Sequence, residues 1–237
     1  MSPQRPVVNQ HFESNVPGLF IVGDLAGAPV VKIAMEQGHR VAARIASLSD
    51  AGSSLPDSFD LIVIGAGAAG LNAALTAQDR GLRVLVVEQG KLANTIEDFP
   101  EGKWVYAEPE SRAVEGKLWL EGAAKEELLQ RWSEAVRDNK LNLRTGEAVI
   151  GVKRRADAHF DVTTSGGLHR ARRVILATGQ RGTARRLHVP GEDRSNVYHR
   201  LYSPKHYQEQ NIVVVGGGNS AVEAALALCG QNHVTLS

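Results

Sequence analysis

Gly65-Ala-Gly67-Ala-Ala-Gly70 is the feature that most narrows what this chain can fold into. Such a string arises often by chance, but here it stands between a β-branched run at residues 59–64 and a helical stretch at 68–80. A second apolar run, residues 83–87, ends at Glu88, about 20 residues after the first glycine, as a dinucleotide-binding βαβ unit requires. In such a unit Gly65 makes the tight turn, Gly67 lets the backbone approach a pyrophosphate, and Gly70 allows close packing of helix on strand. The helix N-terminus stabilises the diphosphate charge, and Glu88 accepts hydrogen bonds from ribose hydroxyls. Uninterrupted apolar runs mark parallel strands covered on both faces, so the expected class is α/β.

The pattern recurs near the other end of the chain. Residues 212–215 read as a strand, Gly216-Gly-Gly218-Asn219-Ser220-Ala221 as a turn opening a helix to about residue 228, and Val234 as part of a following strand. The residue that would distinguish NAD from NADP at the adenosine ribose is expected after Ser237, so the choice between NADPH and NADH stays open. Between the motifs, residues 91–122 lack a period and read as loops. Their Trp104, Tyr106 and Trp119 suit either a substrate or partner surface or buried loop anchors. Residues 123–138 form an amphipathic helix with Leu128, Leu129, Trp132 and Val136 on one face. Alternating stretches near 147–153, 159–164 and 168–172 suggest an antiparallel meander, and 174–177 a separate apolar strand leading into Ala177-Thr-Gly179. Ahead of all this, Gly18-Leu-Phe-Ile-Val-Gly-Asp24 reads as a short buried strand followed by a helix over about 30–48, and the polar residues 49–58 as a linker.

Composition excludes several classes. With 27 Lys+Arg against 26 Asp+Glu the chain has a formal charge of +1, and no concentrated basic face for nucleic acid is expected. The basic runs at 153–155 and 170–173 read as solvated strand ends. The apolar run at 61–71 is too short and too glycine-rich to span a membrane, and no secretory signal is visible, so a cytoplasmic protein is expected. The single cysteine, Cys229, leaves no CxxC pair, internal disulfide or multi-cysteine metal site. Among Ala225, Leu226, Ala227 and Leu228 it reads as a packing residue. His188, His199 and His206 have no metal-site or triad spacing and read as structural or surface residues.

Taken together, Gly65 to Gly70 with Glu88, Gly216 to Ala221, Val174-Ile-Leu-Ala-Thr-Gly179 and Val189-Pro-Gly-Glu192 resemble the two-dinucleotide-binding flavoproteins, in their low-molecular-weight thioredoxin reductase-like branch. The resemblance implies a Rossmann-like FAD-binding domain with a small antiparallel β-meander, plus the first βαβ of a second, NAD(P)-binding fold. It implies FAD at the first motif and NADPH or NADH at the second, through Gly216, Gly218, Asn219, Ser220 and Ala221. Asn94-Thr-Ile-Glu-Asp-Phe-Pro100 resembles the segment that passes the flavin ring, with Asn94 and Gly179 as further FAD contacts. Where that branch carries CxxC, this chain has His199 and Tyr202. Leu201-Tyr-Ser-Pro-Lys-His-Tyr207 is instead similar to bacillithiol disulfide reductase-like proteins, which lack the pair.

Residues 16–24 resemble the segment that closes such flavoproteins at their C-terminus, yet here they precede the first motif. The chain is therefore expected to be a fragment, a permuted arrangement or part of a tandem protein. If the segment folds back, Asp24 meets the flavin ribitol and the following helix points its N-terminus at the flavin. Lys32 stands either on the flavin side or in solvent. The expected domains are residues 1–48 (FAD-closing segment), 49–58 (linker), 59–192 (FAD-binding) and 193–237 (incomplete NAD(P)-binding). The implied function is hydride transfer from nicotinamide to flavin, then electron transfer to a small disulfide or redox protein, with no catalytic side chain assigned and a homodimer left open. The alternatives are a ferredoxin- or flavodoxin-NAD(P) reductase and a non-catalytic FAD-binding regulatory or assembly domain.

Overall fold

Residues 5–48, 57–180 and 186–237 are described by the computed structural model. They divide into two units, residues 1–97 with 104–182 and residues 98–103 with 183–237. Most of the expected linker, residues 49–56, lies outside the described residues.

In the first unit the chain runs through strand β1 (Leu19–Ile21), a 3-10 turn (Gly23–Ala26), helix α1 (Val31–Ala46), β2 (Phe59–Ile64), α2 (Ala68–Asp79) and β3 (Val84–Val87). A single-turn helix α3 (Asn94–Glu97), β4 (Trp104–Val105), β5 (Ala123–Ala124) and α4 (Lys125–Asp138) follow. The unit ends with β6 (Leu143–Arg144), β7 (Val149–Arg154), β8 (Phe160–Thr164) and β9 (Gly167–Leu176). The main sheet has the order β6-β3-β2-β9-β8-β7, with β1 also paired to β9. The pairs β6·β3, β3·β2, β2·β9 and β1·β9 are parallel, as the uninterrupted apolar runs require.

Strand β9 corrects the expectation of two separate strands. Its first half pairs antiparallel with β8, and its second half runs parallel between β2 and β1, with Leu19 opposite Val174. Ala171 marks the handover, flanked by Phe59 and Phe160. The arginines hid this continuity, because a strand needs only alternate positions inside. Nor are the basic runs all solvated. Arg173 is buried, and Arg155 and Arg170 both bind Asp161, at 2.9 and 3.2 Å.

Two shorter elements also differ from expectation. The predicted helix at 123–138 begins at Lys125, because Ala123–Ala124 pairs antiparallel with Trp104–Val105 across the supposed loop region. β6 is too short to carry a period and exists only through its pairing with β3. On α4, Leu128 and Trp132 are buried, and the Trp132 indole donates to the Trp119 carbonyl at 2.7 Å. Arg131 stacks over the Trp119 ring at 4.2 Å, so Trp119 anchors this loop, whereas Trp104 and Tyr106 are exposed. Helix α1 lays Met35, Val41, Ala42 and Ile45 into the interior. Its Gly38 lies so close to α2 that a Cβ there would sit 2.1 Å from the Ala69 carbonyl oxygen.

The second unit contains β10 (Asn211–Val214), α5 (Asn219–Cys229) and β11 (His233–Leu236), with β10 parallel to β11. Residues 98–103 are tied into it through Arg200 with Asp98, Lys103 with Glu223, and the Glu101 carboxylate, which accepts from Lys205 at 2.8 Å and Ser203 at 3.0 Å. Val213, Val215 and Leu226 are exposed, as is Cys229, contrary to its expected burial. Of the apolar neighbours of Cys229, Leu228 is buried while Leu226 and Ala227 are exposed, so Cys229 lies on the uncovered side of the helix. Among the described residues no helix is long and apolar enough to cross a membrane.

Candidate functional site

The first glycine turn is built as the spacing demands. Gly65 has φ +106°, which glycine adopts without strain, and a Cβ there would lie 2.5 Å from the Ala177 carbonyl oxygen. At Gly70 a Cβ would lie 1.9 Å from the Gly65 carbonyl oxygen, so helix and turn touch through bare backbone. Gly67 is different: a Cβ there would meet no atom within 4 Å. The absent side chain leaves open space at the start of α2. The amides of Ala68, Ala69 and Gly70 precede the first helical hydrogen bond, from Leu71 N–H to the Gly67 carbonyl at 2.9 Å, and among the described residues no side chain caps them. Uncapped N–H groups at the positive end of a helix dipole are suited to an anion.

Glu88 is fixed beside this turn. One carboxylate oxygen accepts from the Ala66 amide and the other from the Gly90 amide, both at 2.8 Å. Asn94, at the start of α3, accepts from the Lys91 amide at 3.3 Å, and a Cβ on Gly90 would lie 2.8 Å from its carbonyl oxygen. The sequence string 88–94 is thus one continuous wall next to the glycine turn.

The Gly23-Asp24 corner comes to the same place from the N-terminal segment through Gly23. The Val22 amide donates to the Leu176 carbonyl at 3.0 Å, and a Cβ on Gly23 would lie 3.1 Å from that of Ala69 in the first turn of α2. Two glutamines hold the Gly23-Asp24 corner. Gln37 of α1 accepts from the Gly23 amide, and Gln180, next to Gly179, donates to the Asp24 carbonyl, each at 2.8 Å. Sequence reading missed both, since a glutamine on a helix or in a loop carries no periodic signal.

Lys32 does not face solvent. It is only 6% exposed, and its ammonium donates to the carbonyls of Pro109 and Arg112 at 2.9 and 3.0 Å. It is thereby a tether for that loop. In the second unit, Gly216 has φ +132° and a Cβ there would meet only Ala221, at 3.5 Å. Gly218, Asn219 and Ser220 are exposed at the uncapped start of α5.

Glu147 adjoins the Glu88 wall through backbone bonds, its own amide to the Glu88 carbonyl at 3.0 Å and that of Gly146 to Gly90 at 3.1 Å. Its carboxylate accepts from the Thr164 hydroxyl and from His169, the latter at 3.0 Å. The hydroxyl first, then His169 and Arg144, hold its pKa below the usual carboxylate value. A carboxylate with a depressed folded-state pKa stabilises the fold above its unfolded-state pKa of about 4.3 and loses that contribution as pH falls further. Glu147→Gln should therefore melt below wild type at pH 7, and the difference should shrink as pH falls below the usual carboxylate range, as measured by thermal melts across pH. An equal difference at every pH would show that the charge does not matter.

Fold and turns define the class, α/β proteins built on the dinucleotide-binding βαβ unit. The chain belongs to the pyridine nucleotide-disulphide oxidoreductase family, whose model matches residues 62–237. It is 30% identical over 170 residues to the bacilliredoxin reductase Bdr of Bacillus subtilis, covering 70% of this chain and 52% of that protein. It is also 30% identical over 169 residues to a ferredoxin–NADP reductase of Ignicoccus hospitalis, covering 71% and 52%. The solved bacillithiol disulfide reductase Bdr of Staphylococcus aureus superposes with a TM-score of 0.67 at 28% identity, over 76% of this chain and 57% of that one. The chain thus spans about half the length of the curated relatives it matches.

Proposed function

We propose that the first unit is an FAD site and that the protein to which this chain belongs is an NAD(P)H-dependent flavin oxidoreductase without a CxxC of its own in these residues. The observation that carries the reading is the meeting of Gly23-Asp24 with the first turn of α2, beside Gly65 to Gly70 and the fixed Glu88. The residues fit the group: the opening at Gly67 and the uncapped amides of α2 accommodate a pyrophosphate, and Glu88 keeps lone pairs for ribose hydroxyls. Asp24 and Gly179 would hold the ribitol side, with Asn94 next to the adenosine wall. When bound, FAD would take hydride from NADPH or NADH and pass electrons to a small disulfide or redox protein. Gly216, Gly218, Asn219, Ser220 and Ala221 would receive the nicotinamide nucleotide's pyrophosphate on α5. Lys32 is left out of this site because its ammonium is engaged by the 109–112 loop.

The names of the relatives, a bacilliredoxin reductase and a ferredoxin–NADP reductase, support the reaction class and leave two kinds of acceptor. The single cysteine in these residues cannot relay electrons as a dithiol, which is compatible with both acceptors, since bacillithiol disulfide reductase-like proteins also lack the pair. A cytoplasmic location is part of the proposal, supported by the single thiol. The test is the visible spectrum of the purified chain, before and after anaerobic NADPH or NADH. Bound flavin that is released by heat as FAD is expected. A colourless protein that takes up no added FAD would overturn the reading.

A further inference from the structure

The buried amide of Asn72 is the one fully enclosed polar side chain of α2 that the proposed site leaves unexplained. Residues 68–77, Ala-Ala-Gly-Leu-Asn-Ala-Ala-Leu-Thr-Ala, are otherwise nearly apolar, and a buried amide among them is costly unless it is fully hydrogen-bonded. Asn72 is 0% exposed and its hydrogen-bonding capacity is spent on two separate segments, α1 and residues 115–118. Its amide nitrogen donates to the Met35 carbonyl of α1 at 2.9 Å and to the Glu115 carbonyl at 2.7 Å. Its oxygen accepts from the Lys117 and Leu118 amides at 3.1 and 3.2 Å. Space is left for it by Gly116, where a Cβ would lie 2.3 Å from the Asn72 oxygen.

The Met35 bond has a direct geometric consequence. Met35 lies two residues before Gln37, whose side chain holds the Gly23 amide, and three before Gly38, which rests on Ala69. Asn72 lies two residues after Gly70. Apolar packing of two helices tolerates small slides, whereas a hydrogen bond to one carbonyl selects one register. We propose that Asn72 is a positioning residue of the dinucleotide site, setting the register of α1 on α2 and hence the gap between Asp24 and the Gly65–Gly70 turn. The inference rests on the FAD site proposed above.

The experiment compares FAD affinity and thermal stability of the full chain carrying Asn72→Leu, Asn72→Ser or Leu128→Ala. Leu128 is buried on α4, away from the α1–α2 contact, and serves as a control for destabilisation alone. Both Asn72 variants should weaken FAD binding about tenfold or more and change the visible circular dichroism of the flavin that still binds. Leu128→Ala should lower the melting temperature while keeping affinity within about threefold and the flavin spectrum unchanged. Affinity that tracks melting temperature alike in all three variants, or an unchanged flavin spectrum in the Asn72 variants, would overturn the proposal. So would loss of the fold in both Asn72 variants, which would make the residue purely structural. Absence of FAD binding by the wild-type chain would instead sink the proposed site itself.

Discussion

Gly67→Val is expected to give a folded protein that no longer retains FAD. The three glycines of the first motif are not equivalent. Gly65 and Gly70 face backbone oxygens at distances no Cβ can occupy, so substitutions there damage the fold together with the site. Gly67 has φ −83° and ψ −172°, extended backbone that valine adopts without strain, and its Cβ position is open. The valine side chain would therefore fill only the space in front of the uncapped amides of Ala68, Ala69 and Gly70. A pyrophosphate held back from these amides loses its charge-assisted hydrogen bonds, which are worth about twice neutral ones. Affinity should fall by at least about 100-fold, or about 2.8 kcal/mol, with the melting temperature of the FAD-free protein close to wild type. Titration of the heat-stripped proteins with FAD, alongside their melts, measures both. Retained affinity would mean that the ligand binds elsewhere or does not approach α2.

Removal of residues 1–48 is expected to abolish cooperative folding as well as FAD binding. This segment supplies β1 to β9 and lays α1 on α2, with Phe20, Val22, Met35, Val41 and Ile45 at most 2% exposed. Fully burying such side chains contributes about 1.5–3 kcal/mol each, so these five approach the whole stability of an ordinary domain, about 5–15 kcal/mol. The deletion would also bare the β9 edge at Val174 to Leu176 and the apolar side of α2. Broad or absent thermal transitions and aggregation on gel filtration are the expected readout. A sharp melt with FAD bound as in the intact chain would show that the segment belongs to another module.

Much of the candidate site could be read from local sequence. The strand, turn and helix around Gly65, and again around Gly216, follow from a period of hydrophobicity interrupted by glycines at fixed spacing. Glu88 was legible for the same reason, since the strand that carries it is short and directly follows the helix. Asn72 offered a weaker signal, a single amide in an apolar helix, whose partners at Met35 and Glu115 lie far along the chain. Gln37 and Gln180 offered none.

What the sequence by itself determined were the features whose causes lie within a few residues: helix and strand periods, the glycine turns, the near-neutral charge and the lone thiol. Tertiary structure alone decided the rest. Leu19 beside Val174, β9 serving two sheet neighbours in succession, Lys32 turned onto the 109–112 loop and Cys229 left exposed all depend on which distant segment covers which face. That choice is set by the area buried and the polar groups satisfied once remote parts of the chain meet, and neither quantity has a local signature in the order of residues.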